Sequence, residues 1–171
     1  MKKINLIALI LLCFTFLTVS CCCNHSSCST GEIVMKDHGN NPMVFDIEAY
    51  TMENENFVFA LWTGSNFQIT LMSIPVGGEI GLEVHPDVDQ FLRVEDGKAT
   101  VMMGDCSTSL TFVETAYEDF AIIIPAGKWH NVINSGTKPL KLYSIYAPSE
   151  HSFGTVHKTQ ADAQAAHSHA H

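Results

Sequence analysis

The chain has 171 residues, 46% of them hydrophobic, and a formal net charge of −9 at pH 7. That length supports one domain with a substantial core. The acidic balance argues against a nucleic-acid partner, whose phosphates require a surplus of Lys and Arg.

Residues 1–20 have the layout of an export signal. Lys2 and Lys3 form a positive start, and Ile4–Leu17 is an apolar run too short for a transmembrane helix. Ser20 before Cys21 resembles a bacterial lipobox with Thr18 at its loose −3 position. The implied product is an exported lipoprotein, acylated on Cys21 and anchored to a membrane by lipid. Ordinary signal cleavage would instead release a secreted soluble protein. The removed segment carries two lysines and no acid, so the mature chain is more acidic still.

Residues 21–40 read as a flexible tether. They hold Cys21, Cys22, Cys23 and Cys28, for which an export route permits disulfides without dictating a pairing. Pro42–Ile47 reads as an edge strand and 50–56 as loop. Strands are expected at Phe57–Trp62, Phe67–Pro75, about 80–85, 90–95, Ala99–Met103, Leu110–Glu114, Phe120–Ile124, Trp129–Asn134 and Leu140–Ala147. Asp96-Gly97 is a hairpin signal. The short strands at regular spacing predict an all-β sandwich or barrel over 41–150. Within 151–171, Thr159 and Asp162 suggest a capping box opening a short helix, and the chain ends with His167, His169 and His171.

Two stretches carry the chemistry. In GGEIGLEVHPDVDQFLRVEDG (77–97), Glu83 and His85 share one face if the backbone is extended, and a return strand brings Gln90 back toward them. In DFAIIIPAGKWHNVIN (119–134), the Pro125–Gly127 turn delivers His130 to the start of a strand. The intervals are Gly77, five residues, Glu83-x-His85, four residues, Gln90, six residues, Gly97. Then come Asp119, five residues, Pro125-x-Gly127, two residues, His130, three residues and Asn134. Both resemble the paired motifs of the cupin superfamily at every interval. Glu83 stands where the motif has a histidine, Gln90 where it has glutamate, and Asp119 where it has glycine. Residues from about 56 to 157 resemble small single-domain bacterial cupins, proteins that often carry a mannose-6-phosphate isomerase-like label.

The resemblance implies a double-stranded β-helix, or jelly-roll barrel, with a metal held by Glu83, His85, Gln90 and His130. It also implies a homodimer paired through sheet edges. Such polar groups inside a small barrel are costly unless they are bonded or ligated. Two imidazoles, a carboxylate and an amide oxygen suit Fe, Mn, Ni, Cu or Zn without choosing among them. The amide is the weakest donor, so Gln90 is expected at a distance or loosely bound. Without metal, Gln90 would hydrogen-bond Glu83 in a polar pocket. Glu83 is also the candidate proton shuttle.

The functions that follow are a metal-dependent enzyme on a small polar substrate (oxygenase, isomerase or lyase), or a non-catalytic lipoprotein that binds metal or a small ligand. Among the other residues, Asp87 and Asp89 read as a solvated turn. Arg93 faces outward, Trp129 is open between cavity wall and ordinary packing, and Cys106 reads as an inert small residue.

Overall fold

The structure, a computed structural model, describes residues 32–168. The export segment, Cys21 and its neighbouring cysteines, the tether as far as residue 31, and the histidines at 169 and 171 lie outside the described residues.

The strands are β1 (Val58–Thr63), β2 (Gln68–Ile74), β3 (Asp89–Asp96), β4 (Lys98–Gly104), β5 (Phe112–Tyr117), β6 (Ala121–Ile124), β7 (Trp129–Asn134), β8 (Leu140–Ala147) and β9 (Val156–His157). They form a six-stranded sheet in the order β6-β3-β8-β2-β1-β9 and a three-stranded sheet in the order β5-β4-β7. All pairings between strands are antiparallel. The two sheets face each other as an all-β jelly roll, the fold class expected from the sequence.

The inward residues of β2, β3 and β8 divide the barrel into two ends. Ile74 pairs with Leu140, and Met72 with Leu142, which also pairs with Val94. All five are 0–1% exposed. Further along the same strands, Thr70 pairs with Ser144, while Gln68 and Gln90 flank Tyr146. These too are buried. On the facing sheet Val132 lies opposite Val101 and His130 opposite Met103. One end is therefore a closed hydrocarbon core, with each large side chain contributing about 1.5–3 kcal/mol. The other end is lined with buried polar groups, and the histidine of β7 belongs to it.

Positive backbone φ explains two motif positions. Gly97, in the β3–β4 turn, has φ +103°, and an added Cβ would lie 3.1 Å from Leu140 Cα. Asp119 has φ +70°, the only positive φ outside glycine among the described residues. Asp tolerates this conformation better than most residues. It also engages the Arg93 guanidinium, which sits 2.5 Å from Glu95 Oε1. Arg93 thus lies on the outer side of the sheet, as its alternation with Gln90 required.

The N-terminal part departs from expectation. Pro42–Ile47 is not a strand, and residues 50–56 are not all loop: Ile47–Glu53 is a helix, α1, capped by Asp46 Oδ1, which accepts from Ala49 N at 3.1 Å. Its Tyr50 is buried with Phe59, Leu61 and Leu71, and Ile33, Met35, Met43 and Phe45 pack on the same cluster. Residues 32–40, expected within the tether, are bound to the barrel. His38 N donates to Leu61 O, and Asp37 accepts from Gly39 N, Thr63 Oγ1 and Gly154 N. This segment covers apolar side chains on the outer face of the large sheet that a bare barrel would expose.

At the other terminus, α2 (Gln160–Ser168) follows β9. Thr159 and Asp162 form a reciprocal cap: Thr159 N donates to Asp162 Oδ2 at 2.9 Å, and Asp162 N donates to Thr159 Oγ1 at 3.2 Å. Ala163 is buried in the barrel core cluster. No helix of the described residues is long and apolar enough to cross a membrane.

Candidate metal centre

Glu83 meets His130 through the backbone. The segment around 80–85, expected as a strand, makes only two isolated bridges to β7, Glu79 with Ile133 and Glu83 with His130. The second is closed by two bonds: Glu83 N donates to His130 O at 3.0 Å, and His130 N donates to Glu83 O at 2.9 Å. Residues paired this way project side by side on one face. His85 lies two residues on, and its carbonyl accepts from Gly127 N at 2.8 Å. The turn at 125–127 is held from the other side, since Ala126 N donates to Asp89 Oδ1 at 2.9 Å. Asp89, expected as part of a solvated turn, therefore ties the first motif to the second.

One carboxylate oxygen receives both imidazoles. His130 Nε2 is 3.2 Å and His85 Nε2 3.4 Å from Glu83 Oε1. The far nitrogens are taken as well. His130 Nδ1 lies 2.9 Å from Lys128 O, which can only accept, so Nδ1 carries the proton. His85 Nδ1 faces Glu150 Oε1 at 3.3 Å. With both protons on Nδ1, two Nε2 lone pairs point toward an anionic oxygen. Acceptors cannot satisfy one another, so a cation must stand among them, either a proton or a metal. Histidine pinned at its far nitrogen by an oxygen acceptor is the usual support of a metal ligand.

The titration of the cluster describes the proton solution. Burial alone would raise the Glu83 carboxyl, but His130 and His85 outweigh it and hold it down at about 2. Burial alone would lower His85, but Glu150 and Glu83 outweigh it and raise the imidazole to about 9. His85 in turn holds Glu150 below the usual carboxylate range, against the effect of burial. Even so, His85 Nε2 is buried without a properly directed hydrogen bond.

A metal ion fits the same place. The donor atoms of Glu83, His85 and His130 all lie within 4.8 Å of one another. His130 is 0% exposed and the Glu83 side chain 25%, so the cluster is deep on one side and open on the other. Gln90, 1% exposed, does not bond Glu83 as the metal-free expectation had it. Its Nε2 donates to Ser144 Oγ at 3.1 Å, which leaves Oε1 buried with no partner. The buried oxygen of Gln90 and the buried Nε2 of His85 are both left without a partner, as polar atoms of a site able to take a cation are.

The open side is a cavity of about 700 Å³, bounded by Glu83, His85, Tyr146, Glu150, Trp129 and, from α2, Gln164, among others. Trp129 is thus part of the cavity wall. Glu150, His151 and Tyr146 did not emerge from the motifs. Tyr146 stands edge-on to both His85 and His151, with centroids 5.6 and 5.2 Å away. Burial and the charge of Glu83 raise its phenol, so it stays protonated. The loop bearing Glu150 is fixed by Gln68, whose amide donates to His151 O at 3.0 Å and accepts from His151 N at 2.9 Å. The available signal was Gln68, a polar residue on the expected strand Phe67–Pro75, and it needed a contact 83 residues away to interpret. Asn134 is structural: it donates to Ile74 O and Lys138 O. Cys106 is exposed and free.

Comparison with known proteins agrees with this geometry. A family model described as a cupin domain (Cupin_2) matches residues 70–146. YrkC of Bacillus subtilis (strain 168), described as an uncharacterized protein, is 55% identical over 141 residues, covering 82% of this chain and 76% of its own length. L612 of Acanthamoeba polyphaga mimivirus, described in the same way, is 36% identical over 126 residues, covering 71% and 75%. The crystal structure of BH2720 from Bacillus halodurans superposes with a TM-score of 0.75 at 58% identity, covering 76% of this chain and 98% of that one. On this sequence likeness, and on two sheets enclosing a Glu-His-His cluster, the chain belongs to the cupin family.

Proposed function

We propose that this cupin holds one divalent transition metal between Glu83, His85 and His130, with Gln90 as a weak or outer fourth group, and acts on a small ligand entering by the cavity. The carrying observation is the convergence of two Nδ1-anchored imidazoles on a single carboxylate oxygen. Three protein donors with an open side fit a site that admits a ligand, whereas structural sites close with four. When bound, the metal supplies Lewis acidity toward a ligand oxygen. The residues supply the rest. Glu150 and Lys128 O orient the two imidazoles, Glu83 brings the negative charge and can carry a proton, and the protonated Tyr146 is available as a donor to a ligand oxygen. The donor set is compatible with Fe, Mn, Ni, Cu or Zn, and with oxygenase, isomerase or lyase chemistry.

The test is metal content. A chain starting at residue 29 with His167, His169 and His171 changed to Ala lacks the competing cysteine and histidine clusters. It is expected to retain about one metal ion per chain after exposure to Fe, Mn, Ni, Cu and Zn in turn. His130→Ala and His85→Ala are each expected to lose it. A parent chain that takes up none of the five would sink the metal reading.

The export pattern supports a place for this activity outside the cytoplasmic membrane, with the barrel anchored by lipid on Cys21. The expected result is that the full chain sediments with membranes and takes up labelled fatty acid, and that Cys21→Ser loses the label. A wild-type chain already soluble after processing would show secretion without an anchor.

A further inference from the structure

We infer that the barrel ligand is an uncharged molecule with an apolar body and an oxygen head group, and that phosphorylated sugars and dicarboxylates are excluded. This rests on the cavity site proposed above and names its ligand class.

The walls decide the body. Phe57, Val58, Met72, Ile80, Leu82 and Trp129 line the cavity, and Ala163 joins them from α2. At about 700 Å³ the space takes a ring or a chain of several carbons. Apart from Gln164 on α2, the polar side chains of the lining are Glu83, His85, Tyr146, Glu150 and His151, which contact one another in a chain, so a ligand with one oxygenated end and one apolar end matches the lining.

The charges decide the head. No Lys or Arg lines this cavity among the described residues, whereas Glu83 and Glu150 both do. Several of the described cations are engaged elsewhere: Arg93 with Glu95 and Asp119, Lys128 with Asp105, Lys138 with Asp96 and Lys141 with Asn54 O. Lys158 lines a separate cleft with Glu55 and Glu79. A divalent metal beside the two carboxylates brings the local charge to neutral. A phosphate dianion would therefore bring uncompensated negative charge to a centre already neutral, with no arginine or lysine in the lining to offset it, contrary to how such groups are bound.

The probe is a series of straight-chain primary amides from acetamide to hexanamide, with mannose 6-phosphate and oxalate as comparators. Binding is read from Trp129 fluorescence in a Trp62→Phe background. Trp62 stacks on Phe67 and does not line the cavity, so the remaining tryptophan reports the site. The series is run on the zinc-loaded and the metal-free protein. Affinity is expected to rise roughly threefold per added methylene, about 100-fold across the series, with no response to mannose 6-phosphate or oxalate. Leu82→Ser, at the half-exposed rim, is expected to weaken hexanamide several-fold and to flatten the gain along the series. A flat series, or tighter binding of either anion, overturns the inference, and zinc content measured on the same sample shows whether the metal reading survives it. Failure to take up zinc with the chain-length gain intact overturns the metal reading and leaves this one standing.

Discussion

Glu83→Gln is expected to lower zinc affinity by at least about 100-fold while leaving the barrel folded. Loss of a residue that merely supports a ligand costs about 10–100-fold, and Glu83 stands closer to the centre than that. Its Oε1 is the atom that both imidazoles approach, and it carries the only negative charge among the three donors. Glutamine keeps the shape and the backbone pair with His130, so the loss is one of charge and donor strength. In the metal-free protein the same change removes the carboxylate that His85 faces, and about 1–3 kcal/mol of stability is expected to go with it. The measurements are competition with a chelator for zinc and urea unfolding of the metal-free chain. Zinc binding within a few-fold of wild type would place the metal elsewhere. Once a substrate is known, the same variant separates an enzyme from a binding module. An enzyme loses turnover beyond what metal loss explains, and a binder shows altered affinity alone.

Metal-free and metal-loaded protein should respond to pH in opposite directions. In the metal-free state His85 rises from the usual 6.5 to about 9. Its contribution is complete below 6.5 and is lost as pH climbs through 9. Glu83 falls from 4.5 to about 2. Its contribution is complete above 4.5 and is lost as pH drops toward 2. Metal-free stability should therefore peak between about pH 4.5 and 6.5. From there to pH 9 it should decline by about 3 kcal/mol, a figure counted once because both shifts describe one set of contacts. Metal binding must expel the His85 proton, so affinity should rise about tenfold per pH unit over the same interval and level off above 9. Urea midpoints of the metal-free chain at pH 5.5, 7.5 and 9.5, beside zinc affinities in metal buffers, test both slopes. A metal-free midpoint that stays flat or increases from 6.5 to 9 would show that His85 is not charged between the two glutamates.

Much of the site could be read in the sequence because its rules are local. Period-two alternation marked Leu140–Ala147 with the bounds of β8. Asp96-Gly97 marked the β3–β4 turn, where Gly97 takes φ +103°. The motif intervals brought out Glu83, His85 and His130, and the structure gathers these three. Turn length converts residue counts directly into position for His130 at the start of β7, whereas Glu83 is placed by a single backbone bridge to His130 and not by a strand. The helix at Ile47–Glu53 escaped the same reading. Its segment, IEAYTME, has one aromatic residue to bury, and its stability comes from the Asp46 cap and from Tyr50 packing on β1 and β2. Short helices owe most of their stability to such tertiary contact.

What the sequence by itself determined, then, is the jelly-roll fold and the gathering of Glu83, His85 and His130. Tertiary structure alone decided the surroundings of those side chains. Glu150 reaches His85 because Gln68 holds the backbone of His151 across 83 residues. Gln90 turns to Ser144 and not to Glu83 because β8 runs beside β3 in that register. The apolar walls meet two carboxylates and no lysine or arginine because the loop at 80–86, the two sheets and α2 close on one volume. The physical reason is the same in each case. Alternation and turn chemistry act over a few residues, whereas the register between distant strands and the packing of a terminal helix are set by burial summed over the whole chain.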